Sequence, residues 1–252
     1  MEELKNGLCE LKEMVCGLKE ETNEKTIIEQ LQEIEARLIR EYVIKVEGIM
    51  IEPLWVEAYY FNKNVFSDCN THLSEKQKNR FGQLYFHEKG RGGGRGGVDI
   101  CLSDSEDYYL SFLLKRTLIN GEFVKQADAE DALGKYGQTK EELEAATVVL
   151  VEKKTKKKDD VKHTVRIGLA KPCYKDEKLA AFSLNALKEQ KGDFISDRNS
   201  VNPAIIEEMK KYISYNKGCT KTEYENYCRT TYGWCADCVS KKIKEEIEAA
   251  GK

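Results

Sequence analysis

The chain has 252 residues, of which 40% are hydrophobic and 34% charged, so it is long enough to bury one large hydrophobic core. Its three prolines argue against a proline-rich disordered protein. The net charge of -3 excludes a uniformly basic surface, so any nucleic-acid-binding patch has to be local.

The first residues, MEELKNGLCELKEM, are charged throughout, and no apolar run approaches the ~20 residues that span a bilayer. We therefore expect no membrane insertion and a cytoplasmic location, where thiols stay reduced. The nine cysteines are then mostly free, or a few of them bind metal.

Two amphipathic helices are predicted in residues 1–41, as an N-terminal helical arm. Over 2–20 the apolar residues recur at spacings of four and three, and a second stripe follows a break at Thr22 or Asn23. Packing of these helices on their own domain is favoured over a dimerising coiled coil, because the heptads are too few. A dimer or a protein partner at the helical ends is the alternative.

Residues 42–171 are predicted to form a curved, mostly antiparallel sheet. YVIKVEGIMIEPLWVEAYYFN indicates two strands around Gly48, and GQLYFHE, GGVDICLS and YYLSFLLKRTLI indicate three more. Residues 128–146 look helical or loop-like. TVVLVEKKTKKKDDVKHTVRIGLA is interpreted as a hairpin whose lysine-rich tip is solvated or, alternatively, contacts DNA phosphates.

Residues 172–252 are predicted to form a helical C-terminal extension, with helices in KLAAFSLNALKEQ, NPAIIEEMKKYISYN and CVSKKIKEEIEAA. Four cysteines cluster here and end in a C-x2-C pair that suits a zinc site or a packed core: Cys219, Cys228, Cys235 and Cys238. We favour the core and predict no metal. The expected fold class is α+β.

Glu57 is the first candidate for chemistry. In WVEAYYFN it shares one strand face with Trp55 and Tyr59. Aromatic neighbours partly desolvate a carboxylate and favour its action as a base. A glutamate on an edge strand that faces water is the alternative.

The order of motifs resembles the alkyladenine (3-methyladenine) DNA glycosylase family over roughly residues 42–170. The family pattern is a Glu-Ala-Tyr strand, a loop histidine, a Leu-Tyr-x-aromatic strand, a polar residue before isoleucine, an arginine in an apolar run and a late Arg-x-Gly strand. The matching positions are Glu57-Ala58-Tyr59, His72, Leu84 to His87, Val98-Asp99-Ile100, Arg116 in LLKRTL and VRIGLA at 165–170.

The resemblance implies an enzyme that flips a damaged purine out of duplex DNA and hydrolyses its glycosidic bond without a cofactor. Glu57 would deprotonate the attacking water, and Arg116 would lie near that water and a phosphate. Double-stranded DNA is the implied partner. The implied base-binding residues are Tyr59, His72, Tyr85, His87 and Asp99, and the implied backbone-contacting residues are Lys89, Arg91 and Arg95.

The chain departs from the family at Asp99, where the family has asparagine, and in EKGRGGGRGG, where the family has a tyrosine wedge. This glycine-rich stretch is interpreted as a flexible connection between strands. An RGG-type RNA-binding segment and a phosphate-binding P-loop are less favoured, because the stretch is short and no Gly-Lys-Ser/Thr opens a helix after it. The alternative function is a non-catalytic nucleic-acid-binding or nucleotide-binding protein of the same fold.

Overall fold

The computed structural model describes residues 6–68, 70–72, 75–88, 96–154, 161–164, 166, 178–183 and 186. Within these residues, ten strands form one curled antiparallel sheet that is combined with helices. The predicted α+β class is therefore confirmed. The helices predicted beyond residue 186 lie outside the described residues.

Two helices precede the sheet: α1 (Asn6–Glu20) and α2 (Glu24–Arg40). Asn23 caps α2, because its side-chain oxygen accepts a hydrogen bond from the Thr26 backbone N–H at 3.2 Å. The apolar stripes of both helices join the same hydrophobic cluster as the sheet. They pack on their own domain, as expected. None of the described helices is long and apolar enough to cross a membrane.

The strands predicted between residues 42 and 119 occur in the expected order, and Phe66–Ser67 and Glu122–Lys125 are further strands that the patterns did not predict. Glu47 and Gly48 form the first turn with positive φ angles of 45° and 82°. The remaining elements are β1 (Tyr42–Val46), β2 (Ile49–Asn62), β3 (Phe66–Ser67), β4 (Gln83–Phe86), β5 (Val98–Cys101), β6 (Tyr108–Ile119), β7 (Glu122–Lys125), α3 (Ala129–Gly134), α4 (Lys140–Ala145), β8 (Val149–Glu152), β9 (Val161–Thr164) and β10 (Ala180–Ser183).

The centre of the sheet is the long pair of β2 and β6, and the strand order is β4-β5-β6-β2-β1-β8. Side chains alternate between the two faces of a strand. Val56, Ala58 and Tyr60 of β2 therefore enter the hydrophobic cluster beneath the helices. Glu57 and Tyr59 project to the opposite face.

Two sequence predictions at the end of the sheet are wrong. β8 pairs with β1 while β9 pairs with β10, so the described parts of this lysine-rich segment do not form a hairpin with each other. Ala180–Ser183, predicted as helix, is strand β10 between β2 and β9. Burial between two partner strands outweighs the helical preference of alanine. The sheet thus continues beyond the predicted boundary at residue 171.

Glu35 of α2 places a carboxyl group inside this packing. It is fully buried, and its Oε1 accepts a hydrogen bond from the Ala58 backbone N–H at 3.0 Å. Its Oε2 lies 3.5 Å from Nδ1 of His163 on β9. Burial raises the pKa of Glu35 well above its usual range, although the Ala58 N–H and the charge of Arg166 oppose this.

We predict that Glu35→Gln increases the free energy of unfolding at pH 7, because burial raises the pKa of Glu35 and the neutral amide removes the cost of ionising a buried carboxyl group. A carboxyl group with a raised folded-state pKa stabilises fully only below its unfolded-state pKa, about 4.3. That contribution is lost as the pH rises through the folded-state pKa. The advantage of the variant should therefore vanish near pH 4 in urea denaturation.

Exposed Glu29 on the same helix supplies the control, since Glu29→Gln should change stability little at either pH. A Glu35→Gln protein that is less stable than wild type at pH 7 would show that the buried carboxylate is held favourably in its ionised form.

Candidate functional site

Polar side chains gather on the sheet face that α1 and α2 do not cover. Cross-strand pairing places Tyr59 opposite Ser111 on the same face as Glu57. Glu57 lies opposite Leu113 of β6, and Leu113 pairs on its other side with Asp99 of β5. Tyr85 of β4 lies directly opposite Asp99. The structure therefore brings predicted residues from β2, β4 and β5 onto one face.

Glu57 is held in the middle of the sheet. It is fully buried, its Oε2 accepts a hydrogen bond from the Tyr59 hydroxyl at 3.0 Å, and its Oε1 lies 3.3 Å from Nζ of Lys115. These two contacts offset part of the cost of desolvating a carboxylate. β2 is flanked by β6 and β10, so an edge-strand glutamate facing water is excluded.

Tyr59 is suited to donate to Glu57. Burial, followed by repulsion from the Glu57 charge, raises the pKa of Tyr59 well above its usual range. The phenol therefore keeps its proton at neutral pH and can donate it in a hydrogen bond.

The cation beside Glu57 is Lys115, which the sequence analysis missed. The predicted Arg116 follows it, opposite Trp55, where the register of β2 and β6 is irregular. Nη1 of Arg116 donates a hydrogen bond to the Lys115 carbonyl at 2.6 Å. The motif LLKRTL contains two adjacent cations, Lys115 and Arg116. The irregular register of β2 and β6 determines which of the two contacts Glu57.

A fully buried ion pair between Asp68, which follows β3, and Arg166, which follows β9, supports Tyr59. Nη1 and Nη2 of Arg166 lie 2.5 and 3.2 Å from the two carboxylate oxygens of Asp68. Nη1 also donates to the Ala58 carbonyl at 3.0 Å, and the guanidinium carbon lies 4.7 Å from the Tyr59 ring centroid. The partners are 98 residues apart, so no local signal links them.

An aromatic cluster of Tyr85, His72 and His87 lies beside this arrangement. The ring centroids are 5.4 Å apart for the two histidines and 5.0 Å apart for Tyr85 and His87. The Tyr85 hydroxyl is 3.2 Å from Nδ1 of His72. Tyr85 is buried, His87 is half-buried and His72 is exposed, so the cluster extends from the sheet to the solvent.

Asp99 holds His87 in this cluster. Its Oδ1 is 2.8 Å from Nε2 of His87, and its Oδ2 accepts hydrogen bonds from the Ser111 hydroxyl at 2.8 Å and the Gln77 amide at 3.0 Å. Burial alone lowers the pKa of His87, but the attraction and hydrogen bond of Asp99 outweigh it and raise the pKa. No sequence motif indicated Ser111 or Gln77.

The structure describes only some of the remaining residues that the sequence predicts to be functional. The loop cations Lys89, Arg91 and Arg95 lie outside the described residues, as do the C-terminal cysteines Cys219, Cys228, Cys235 and Cys238. Lys153, at the start of the lysine-rich run, donates to the Ile39 carbonyl and lies 2.7 Å from Glu52. The described part of the chain contains no group of three or more His, Cys, Asp or Glu residues arranged to hold a metal ion.

Comparison with known proteins supplies no family, because no family model and no curated protein matches this sequence. A functional assignment therefore depends on the chemistry of the site.

We predict that Asp68→Asn lowers the free energy of unfolding by about 3–5 kcal/mol, because it leaves the buried Arg166 charge without its compensating carboxylate. Urea denaturation at pH 7 measures this loss.

The pair of exposed Glu75 and half-buried Lys78 is the comparison, and Glu75→Gln should lower stability far less than Asp68→Asn does. Equal losses for the two variants would mean that Asp68 is not required to hold Arg166.

Proposed function

We propose that the protein is a monofunctional DNA glycosylase-like hydrolase that removes an alkylated or deaminated purine from double-stranded DNA. The observation that carries this proposal is the placement of a buried carboxylate, Glu57, on the same sheet face as the cluster of Tyr85, His72 and His87. Hydrolysis of a flipped nucleotide needs both a base for water and a surface for a planar ring.

Glu57 is the group that holds and deprotonates the attacking water. The Tyr59 hydroxyl contacts Oε2 of this carboxylate and the Lys115 ammonium contacts Oε1, and these two contacts fix its orientation. Only the ionised form of a carboxylate accepts a proton from water. The same negative charge stabilises the positive charge that develops on the sugar as the glycosidic bond breaks.

The flipped purine stacks on the aromatic cluster, with Tyr59 and Asp99 at its border. Stacking on aromatic side chains contributes ~1–3 kcal/mol per base, which offsets much of the few kcal/mol that flipping a damaged base costs. In this proposal the cations Arg116, Lys89, Arg91 and Arg95 contact the DNA backbone. Phosphate contacts position the duplex without selecting its sequence.

A second candidate is a non-catalytic protein of the same fold that binds a nucleic acid or a nucleotide. The ion pair between Glu57 and Lys115 favours it, because Oε1 of the carboxylate is already engaged by an ammonium group 3.3 Å away. In such a protein the aromatic cluster would bind a base and no bond would be cleaved.

We predict that Glu57→Gln reduces base release by about 10²–10⁴-fold, the usual contribution of a general base, while binding of the duplex persists. Single-turnover cleavage of duplexes that contain an alkylated or a deaminated purine measures the chemical step. A gel shift on the same duplexes measures binding.

Glu122→Gln, at an exposed position on β7, should leave both measurements unchanged. If the wild-type protein releases no base from any duplex in the panel yet binds them, the binding protein is the correct assignment.

A further inference from the structure

We propose that the solvent-exposed face of α1 is a redox-controlled dimerisation surface for a second copy of this chain. In the dimer the two α1 helices run parallel, and disulfides join Cys9 to Cys9 of the second copy and Cys16 to Cys16 of the second copy. The surface is separate from the sheet face that carries Glu57, so this inference does not depend on the function proposed above.

The exposed face of α1 carries a seven-residue repeat. Residues 9–13 read CELKE, and residues 16–20 read CGLKE. The cysteine, the lysine and the glutamate of each repeat are exposed, whereas the leucine of each repeat is buried in the core. A period of seven residues returns each position to within about 20° of the same direction around a helix. The exposed residues therefore form a continuous stripe along α1.

Cys9 and Cys16 lie along the middle of this stripe. Both are free and exposed. The helical period places them on the opposite side of α1 from the fully buried Leu11, Val15 and Leu18. The apolar side of α1 thus stays in the core of its own chain, and the side that carries the two cysteines is the one available to another molecule.

The charges beside the cysteines favour a parallel second copy. Each lysine is three residues and each glutamate four residues after a cysteine, so lysines flank the cysteines on one side and glutamates on the other. Parallel helices related by a two-fold axis bring opposite flanks together. Lys12 then faces Glu13 of the second copy, and Lys19 faces Glu20 of the second copy. Antiparallel helices would bring like charges together, which is unfavourable.

These charges are available for pairing between copies. Glu13 and Glu20 have no ion-pair partner among the residues that the structure describes. The ammonium groups of Lys12 and Lys19 each lie 5.9 Å from the centroid of an aromatic ring of the same chain. That separation is at the outer limit of a cation–π contact, about 6 Å, so little is lost when the ammonium moves to a carboxylate.

Helix geometry permits the two disulfides, and the size of the contact makes them necessary. Helices packed about 9–10 Å apart bring facing Cα atoms to about 5 Å, within the range of about 4.4–6.8 Å that disulfides span. A pair of 15-residue helices buries far less than the roughly 1,200 Å² of a stable interface. The reduced pair is therefore transient, and oxidation holds it together.

Thiol–disulfide exchange with a small-molecule disulfide, such as glutathione disulfide, supplies the oxidation. The Cys9 thiolate of one copy attacks the small disulfide and releases one thiolate. The Cys9 thiolate of the second copy attacks the protein sulfur of this mixed disulfide and releases the other. Two protein thiols become one disulfide, one small disulfide becomes two thiols, and the two protons pass to the released thiolates. Cys16 reacts in the same way within the linked pair, where its effective concentration is high.

Mass spectrometry of the full chain tests which cysteines are joined. After incubation with glutathione disulfide and alkylation of the remaining thiols, trypsin places Cys9 in NGLCELK and Cys16 in EMVCGLK. We expect each peptide to be linked to a second copy of itself, which is possible only between two chains, and dithiothreitol to restore the monomer. A link between the two different peptides would overturn the parallel arrangement. A chain that stays monomeric, or that is linked only through other cysteines, would overturn the proposal.

Charge variants test the pairing beside the cysteines. Glu13→Lys places a lysine opposite Lys12 of the second copy, so disulfide dimers should form several-fold more slowly, relative to alkylation of the monomer by iodoacetamide. Adding Lys12→Glu to this variant should restore the rate. Glu29→Lys makes the same charge change on an exposed part of α2 and should leave the rate unchanged. A rate that Glu13→Lys does not alter, or that Lys12→Glu does not restore, would overturn the parallel charge pairing.

Discussion

The antiparallel pairing of β2 with β6 is the contact on which the rest of the structure depends. Eleven residue pairs align along it, and a slip of one residue would exchange the two faces of each strand. The observed register sends Val56, Ala58 and Tyr60 into the core beneath the helices and leaves Glu57 on the opposite face. The hydrophobic core thereby determines the position of the polar site, although the two share no side chains.

Three carboxylates that are buried on the polar face of the described residues each lie beside a basic side chain. Glu57 is matched by Lys115, Asp68 by Arg166 and Asp99 by His87. Such pairs add little net stability, because desolvation cancels most of their attraction, but loss of one partner is costly. Their effect is to hold side chains in one geometry, which is what a preorganised site requires. Glu35 on the helical side instead contacts a backbone N–H and lies 3.5 Å from a histidine nitrogen. Burial raises its pKa.

The errors in the sequence analysis share one cause, which is that partner choice is non-local. The lysine-rich segment 147–170 contains both β8 and β9, but their partners are β1 and β10. Ala180–Ser183 has helix-forming residues and becomes a strand only because β2 and β9 lie on either side of it. Lys115 and Arg166 belong to the motifs LLKRTL and VRIGLA, but these motifs do not predict that Lys115 contacts Glu57 or that Arg166 contacts Asp68.

Local sequence determined most of the elements themselves: the two amphipathic helices, the turn at Gly48, and strands β1, β2, β4, β5 and β6. Periodicity and turn chemistry act over a few residues. It also determined which residue types were candidates for the site. Tertiary structure alone decided that Asp99 meets His87, that Lys115 meets Glu57, and that Asp68 meets Arg166. These contacts join residues that are up to 98 positions apart, and only the register of the sheet and the path of the chain bring their charges within reach of each other.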